Sequence, residues 1–188
     1  MRIWLISGKA GHGKDEVGKM LVKKLQANDK KVVVAHFADL VKEYARLYWN
    51  WDGNKNEDGR ALLQYIGTTL MRTYNDQYWG RIIGEFLDAV AEQELFTDAI
   101  IPDWRFISEY DAICNTVGWR WYNDVITIRV NRYENGHLYD NNKLTEEQKN
   151  HISECELDDF CFQWEIENHT LEELDESVDS ILDFYIHL

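Results

Sequence analysis

A glycine-rich loop near the start of the chain carries residue types that bind phosphate. Residues 8–14 fit the pattern G-x-x-x-x-G-K, with Gly8, Gly13 and Lys14 at its fixed positions. Glycines allow consecutive backbone N–H groups to point at phosphate oxygens, and the lysine adds a mobile positive charge. A glycine turn beside a surface lysine is the alternative interpretation. The residues predicted to bind the phosphates of a nucleoside triphosphate are Gly8, Lys9, Ala10, Gly11, His12, Gly13, Lys14, Asp15 and Glu16.

Two carboxylates are candidate ligands of a metal ion that would accompany these phosphates. Asp15 stands where the loop pattern usually has Ser or Thr, whose hydroxyl binds Mg²⁺. A carboxylate is also a hard oxygen ligand, so Asp15 can hold magnesium directly or through water. Asp103 ends an apolar run, and open α/β sheets bind ligands at the carboxyl ends of their strands. We therefore predict that both residues organise Mg²⁺, Asp103 also acting in catalysis.

Further basic residues have a spacing that suits a second phosphate. Arg60 and Gln64 are four residues apart, which places them on one helix face, and Arg72 follows at a distance of 12 residues. A guanidinium can hold a phosphate through two parallel hydrogen bonds. Lys42 is a weaker candidate of the same kind. The alternative is that Arg60 and Arg72 are solvent-facing residues of a helix.

Arg105 and Glu109 follow the strand end marked by Asp103. Arg105 lies two residues after this aspartate and is predicted to clamp the second phosphate. Glu109 lies four residues beyond Arg105, so an ion pair between the two within a helix is the alternative. We include both residues in the predicted site.

The elements that would position these residues alternate between strands and helices. The apolar runs suit strands buried on both faces of a parallel sheet, and amphipathic stretches lie between them. This alternation predicts an α/β fold, in which a mostly parallel sheet carries helices on both faces. The predicted strands are Arg2–Ser7, Lys31–Phe37, Thr97–Asp103, Asp124–Val130 and Phe160–Glu167; the predicted helices are Asp15–Ala27, Arg81–Leu95 and a last helix that begins with a capping box at Thr170 and Glu173.

Two segments are too long for simple connections between strands. Residues 38–96 exceed one crossover helix, and residues 132–159 are polar and rich in turns before a short helix predicted from Thr145. Both should project from the carboxyl edge of the sheet, where ligands bind. We interpret residues 1–188 as a single domain with two insertions.

Charge and composition exclude several kinds of partner. The net charge of −14 arises in residues 134–188, which contain 16 Asp or Glu and two Lys or Arg. This acidic surface should repel a nucleic-acid polymer, although a locally basic pocket can still hold a small nucleotide. No apolar stretch suggests a membrane partner, so we expect a cytoplasmic protein. The three cysteines lack CxxC spacing and are read as reduced thiols.

Segments along nearly the whole chain resemble the bacteriophage-type deoxynucleoside monophosphate kinases, within the P-loop nucleoside monophosphate kinase group. The matching segments are ISGKAGHGKD, FADLVKEYA, GRALLQYIGTTLMR, IIPDWRF, ITIRVNR, HISECELDD and ENHTLEEL. The resemblance implies a three-layer α/β/α fold with a parallel five-stranded sheet, a monophosphate-binding helical insertion (38–96) and a lid (132–159). It also implies transfer of the γ-phosphate of ATP, with Mg²⁺, to a (deoxy)nucleoside monophosphate.

The resemblance also assigns roles to individual residues. Arg132, preferred to Arg129, would stabilise charge on the transferred group, together with Lys14. The acceptor nucleotide would be bound by Lys42, Arg60, Gln64, Arg72, Arg105, Glu109, His151 and Glu154. Asn168 would contact the donor base through its amide, unless it is only a turn residue. The number of subunits stays open, with a homodimer as one arrangement.

Two other functions compete with this interpretation. The chain could phosphorylate another phosphorylated metabolite, such as phosphomevalonate or dephospho-coenzyme A, because such kinases share the loop. It could also bind ATP without catalysis. A GTPase switch is disfavoured because the N-K-x-D motif that recognises guanine does not occur late in the chain.

Overall fold

A computed structural model describes residues 1–117 and 124–186 of the protein. Within these residues, hydrogen bonds join six strands into one sheet. The strands are β1 (Arg2–Ser7), β2 (Val32–Val34), β3 (Asp98–Ile101), β4 (Val125–Glu134), β5 (His137–Leu138) and β6 (Trp164–Asn168).

Helices follow most of the strands, as the alternating pattern predicts. The first insertion contains four α-helices, and a π-helical segment (Tyr65–Leu70) joins two of them. The helices are α1 (Lys14–Ala27), α2 (Phe37–Trp49), α3 (Glu57–Gln64), α4 (Met71–Tyr74), α5 (Tyr78–Glu92), α6 (Ile107–Val117), α7 (Glu146–Lys149), α8 (Ile152–Cys155) and α9 (Leu171–Ile186).

The sheet differs from the expected five strands by one additional strand. Five strands are parallel in the order β2-β3-β1-β4-β6, and β5 pairs antiparallel with the far end of β4. β4 continues past the apolar run to Glu134 and turns back through Asn135 and Gly136, whose φ angles are 52° and 79°. Asn-Gly with two positive φ angles is the favoured two-residue hairpin turn. That local signal predicts the hairpin, and our sequence interpretation did not use it.

Two apolar layers hold helices on opposite faces of the sheet. Side chains alternate along β1, so Ile3 and Leu5 face one layer while Trp4 and Ile6 face the other. The first layer packs against α2, α5 and α6, and the second packs against α1 and α9. The predicted α/β fold with helices on both faces is therefore confirmed. Among the described residues, no helix is long and apolar enough to span a bilayer.

The last strand and the short helix of the second insertion test two local predictions. The strand expected at Phe160–Glu167 begins only at Trp164, because Phe160 packs in an aromatic cluster with Trp104. The short helix is confirmed as α7, where Thr145 accepts a hydrogen bond from Gln148 N and completes a capping box. Aromatic packing across the fold thus shortens one predicted strand, whereas the capping signal, which is local, holds.

Candidate active site

The loop between β1 and α1 requires glycine at three positions. Gly11 and Gly13 have φ angles of 89° and 101°, which favour glycine. A Cβ on Gly13 would lie 2.5 Å from Asn168 Nδ2, and one on Gly8 would lie 2.8 Å from Val130 O. Conformation and close packing together explain why the loop contains these glycines.

Several backbone N–H groups of the loop are available to a ligand, including four near the start of α1. Those of Gly11, Gly13, Lys14 and Asp15 have no hydrogen-bond partner among the described residues. They cluster at the N-terminus of α1, where the helix dipole also favours an anion. Glu16 differs, because its N–H donates to Gly13 O at 2.9 Å. The backbone N–H of Glu16 is therefore engaged within the loop, and the phosphate-binding role of Glu16 stays a prediction.

Lys14 lies inside the cleft that this loop borders. Its side chain is buried, and the charges of Arg105, Asp15, Glu154 and Asp103 act on it. Burial lowers its pKa most, followed by repulsion from Arg105. An arriving polyphosphate would raise the pKa again, because a nearby negative charge favours the ammonium form. The position and charge of Lys14 thus suit a phosphate ligand.

His12 supports the loop from within. Its Nδ1 accepts the N–H of Arg132 at 3.3 Å, so Nε2 is the protonated nitrogen and donates to Tyr139 O at 3.1 Å. Burial lowers the pKa of His12, which agrees with this neutral form. Its own N–H donates to Lys9 O at 3.1 Å, and is not available to phosphate. His12 therefore holds the second insertion against the loop.

Asn168 also contacts the loop. Its Nδ2 donates to His12 O at 2.9 Å, beneath Gly13. One amide hydrogen therefore positions the loop, and the second hydrogen and the side-chain oxygen remain for the predicted contact with the donor base.

Asp158 joins the loop to β4, a role that the sequence interpretation missed. It accepts hydrogen bonds from Lys9 Nζ at 2.8 Å and Arg129 Nη2 at 2.6 Å. Arg129 also donates to Ser7 Oγ at 3.2 Å. Arg129 is thus held inside the fold by these two contacts, and the choice of Arg132 as the residue facing the donor stays a prediction.

A cleft of about 470 Å³ opens beside the loop. The protein is acidic overall, yet cations outnumber anions in the cleft lining. The cations are Lys14, Lys42, Lys55, Arg60, Arg72 and Arg105, and the anions are Asp15, Asp103, Glu109 and Glu154. The structure thus brings together the loop and most residues predicted for the second phosphate.

Helix α3 and the residues that directly precede it contribute part of the basic lining of the cleft. Arg60 and Gln64 both line the cleft, as their spacing predicts. Arg60 is exposed and donates Nε to Lys55 O at 3.0 Å, while its terminal nitrogens have no partner among the described residues. Lys42 also lines the cleft and pairs with Asp39 at 2.6 Å. Lys55 was missed, although it directly precedes Asn56, the capping residue of α3.

Arg72 lines the same cleft but uses nearly all its donors within the protein. Its side chain is 9% exposed, and the guanidinium lies 3.5 Å from the centre of the Phe106 ring. A guanidinium has five N–H donors, so one is left for a ligand. This engagement argues against a two-bond grip on phosphate and assigns Arg72 to holding α4 against α6. The four acceptors are Gly67 O, Asp76 O, Ser108 Oγ and Glu109 Oε1.

Glu109 is the buried partner of Arg72, at 2.5 Å. Its other oxygen accepts the N–H groups of Arg105 and Phe106 at 3.0 and 3.2 Å. Burial raises the pKa of Glu109 to about 7, against the opposing effects of Arg72 and these N–H groups. The alternative ion pair between the Arg105 and Glu109 side chains is wrong, because Arg105 contacts Glu109 through its backbone.

Asp103 caps α2, a role that the sequence interpretation did not include. Its carboxylate accepts the N–H of Phe37 at 3.1 Å and of Ala38 at 2.8 Å. His36, the residue before the helix, makes no side-chain cap of its own. Burial raises the pKa of Asp103, while the Ala38 N–H and His36 lower it. Asp103 therefore fixes the start of the first insertion at the floor of the cleft.

Arg105 and Glu154 meet at the edge of the phosphate loop. Arg105 Nη1 donates to Ser153 O at 2.9 Å and forms an ion pair with Glu154 Oε1. The other oxygen of Glu154 accepts the N–H of Ala10 at 2.9 Å. His151 lies outside the cleft lining, where its Nδ1 caps α8 by accepting Ser153 N. The structure therefore brings Glu154 to the site and places His151 in a supporting position.

Arg132 lies over the loop at the base of the hairpin. Its Nη1 donates to Gly11 O at 3.4 Å, its Nη2 pairs with Glu134 at 2.6 Å, and its guanidinium lies 4.5 Å from the Tyr139 ring centre. The side chain is 40% exposed. Arg132 thus lies near the phosphate loop but outside the cleft lining, so its contact with the donor stays a prediction.

No family model and no curated protein matches the chain. Solved structures do match, at low identity. An APS kinase CysC from Mycobacterium tuberculosis, a cysteine-to-alanine mutant, is 13% identical with a TM-score of 0.50, over 97% of this chain and 94% of that one. A gluconokinase from Sinorhizobium meliloti 1021 is 11% identical with a TM-score of 0.43, over 99% and 96%. The likeness to the first shows that the chain has the fold of a P-loop kinase.

Proposed function

We propose that this protein transfers the γ-phosphoryl group of ATP to a (deoxy)nucleoside monophosphate. One observation carries the proposal: Lys14 and Asp15, whose backbone N–H groups have no partner among the described residues, line a cleft whose other walls are locally basic. The loop suits a triphosphate, and the surrounding cations suit a second phosphate at the same cleft. The resemblance to bacteriophage-type deoxynucleoside monophosphate kinases supports this choice of acceptor.

The donor's phosphates would lie on the loop at the start of α1. They would be held by the backbone N–H groups of Gly11, Gly13, Lys14 and Asp15. The Lys14 ammonium would follow the negative charge that develops on the transferred phosphoryl group. Arg132 would approach from the second insertion and stabilise the transferred group. In this proposal residues 132–159 act as a lid that excludes water.

The acceptor would occupy the part of the cleft between α2, α3 and α6. Arg60 and Arg105 are the proposed phosphate ligands, with Lys42 and Gln64 beside them. Apolar side chains of Val41 and Leu63 line the same region and suit a base. No general base is needed, because the attacking atom is an oxygen of an anionic phosphate.

Magnesium would accompany ATP, and the donor set of the cleft fits it. Asp15 is exposed at the start of α1 and lines the cleft, so its carboxylate can serve as a hard oxygen ligand. Asp103 also lines the cleft, but its oxygens already accept two N–H groups. Asp15 is therefore the better ligand of the two. Bound Mg²⁺ would neutralise charge on the phosphates.

A kinase of another phosphorylated metabolite is the second candidate. The cations of the cleft would suit the phosphate of phosphomevalonate or dephospho-coenzyme A equally well. The structure similar in fold is named an APS kinase, so APS also belongs among the acceptors to be tested. A non-catalytic ATP-binding protein is the third candidate.

A coupled assay of ADP release with Mg-ATP and a panel of acceptors tests these alternatives. The panel contains ribo- and deoxynucleoside monophosphates, the two metabolites and APS. Turnover with one or more monophosphates, confirmed by detecting the diphosphate product, is expected. Turnover only with a metabolite would replace the proposal by the second candidate. ATP binding without any product would support the third.

A further inference from the structure

Glu154 occupies the contact between two groups that bind phosphate in the proposed function. One of its oxygens accepts the N–H of Ala10, within the phosphate loop, and the other pairs with the Arg105 guanidinium. The side chain is 10% exposed. A carboxylate and a phosphate offer the same kind of acceptor oxygen to these two donors, so they would compete for them.

The location of Glu154 strengthens this comparison with a phosphate. Glu154 and Ala10 line both the cleft and a second cavity of about 280 Å³, which lies between the loop and the second insertion. The charge of Glu154 also acts on Lys14. The carboxylate thus lies where the loop, the lysine and an arginine of the acceptor side converge, which is where a transferred phosphoryl group has to be held.

We infer that Glu154 is an internal substitute for a substrate phosphate, which the phosphates displace when they bind. The inference rests on the proposed function and adds that the Glu154 carboxylate competes with the substrate phosphates for the same donors. In the unliganded protein the carboxylate partly neutralises Arg105 and occupies Ala10 N–H. A ligand phosphate carries more charge and can bind Arg105 through two hydrogen bonds, so it displaces the carboxylate at a cost in affinity.

The neighbouring acids, Glu156 and Asp158, have contacts different from those of Glu154. Glu156 accepts the N–H of Ile107 at 2.8 Å, at the start of α6, and does not line the cleft. Asp158 binds Lys9 and Arg129. Successive members of this group of three acids are two residues apart, and each contacts a different part of the carboxyl edge of the sheet. Glu156 therefore provides a control of equal charge in the same segment.

Calorimetric titration of Glu154→Gln and Glu156→Gln with inorganic pyrophosphate and with Mg-ATP tests the inference. Both variants lose one negative charge. We expect Glu154→Gln to bind both probes about tenfold more tightly, because a competing charge is removed close to the site. Glu156→Gln should stay within about twofold of the wild type.

Glu154→Asp is the second variant, in case the glutamine variant folds poorly. It keeps the charge but is shorter by one methylene group, so it cannot bridge both donors, and a smaller gain of about threefold is expected. Unchanged or weaker binding in the Glu154 variants, with a wild type that binds ATP, overturns the inference and leaves the proposed function standing. A wild type that binds neither probe overturns both.

Discussion

Two walls of the cleft use their hydrogen-bond donors in opposite ways. The loop wall consists of the phosphate loop and the start of α1, and the α6 wall consists of α4 and the start of α6. On the loop wall, the N–H groups at the start of α1 and the Lys14 ammonium have no hydrogen-bond partner among the described residues. On the α6 wall, four of the five Arg72 donors are engaged and Glu109 accepts three hydrogen bonds. The polar groups of one cleft therefore divide into those without a partner in the described structure and those that hold the wall together.

Substitution of Lys14 by alanine should give the largest loss of activity. We expect turnover to fall by about 10³-fold or more. The reason is that the positive charge of Lys14, which would stabilise negative charge on the transferred phosphoryl group, is lost. The free energy of unfolding should not fall, because no hydrogen bond inside the protein is removed. Steady-state kinetics and urea unfolding measure the two effects. Lys19→Ala, on the exposed face of α1, is the control, and wild-type-like turnover in Lys14→Ala would contradict the assigned role.

Substitution of Arg72 by alanine should mainly reduce stability. Its removal leaves Glu109 buried without a charged partner, which costs about 3–5 kcal/mol of unfolding free energy. Chemical denaturation of the variant gives this difference. If stability were unchanged and only the KM for the acceptor rose, Arg72 would be a ligand, and the contrast between the walls would fail.

The buried Glu109 should make the stability of the α6 wall depend on pH. Its pKa is raised from 4.5 to about 7, so the folded state binds more protons than the unfolded state between these values. Its contribution to stability is therefore largest below pH 4.5 and is lost as the pH rises to about 7. Relative to Glu109→Gln, the wild type should lose about 1–3 kcal/mol between pH 5 and pH 8 in urea unfolding. A constant difference would show that Glu109 stays ionised in its pair with Arg72.

Substitution of Arg60 by alanine should give the smallest effect, confined to substrate binding. We expect the KM for the acceptor to rise about tenfold, because one charge-assisted contact to phosphate is lost. The unfolding free energy should change by less than about 0.5 kcal/mol, as for other exposed residues. Arg81→Ala, on an exposed face of α5, should change neither value. A KM equal to that of the wild type would remove Arg60 from the site.

Local sequence patterns predicted the helices and strands better than they predicted which distant residues pack together. The phosphate loop, α1 and the short helix after Thr145 depend on neighbouring residues, and the structure contains each of them. The additional strand β5 was also encoded locally, by Asn135 and Gly136, but was overlooked. The start of β6 was misplaced, because the aromatic packing of Phe160 depends on residues far along the chain.

By itself, the sequence determined the α/β fold, the phosphate loop and most of the basic residues that line the cleft. Only the tertiary structure decided which charged residues remain free. Arg72 and Glu109 are 37 positions apart, and Arg105 and Glu154 are 49 positions apart. Helical spacing cannot reveal such pairs, because it relates residues only three or four positions apart. The crossovers of the parallel sheet bring these partners to one edge. The contacts made there separate Arg72, most of whose donors are engaged, from Arg60, whose terminal nitrogens have no partner among the described residues.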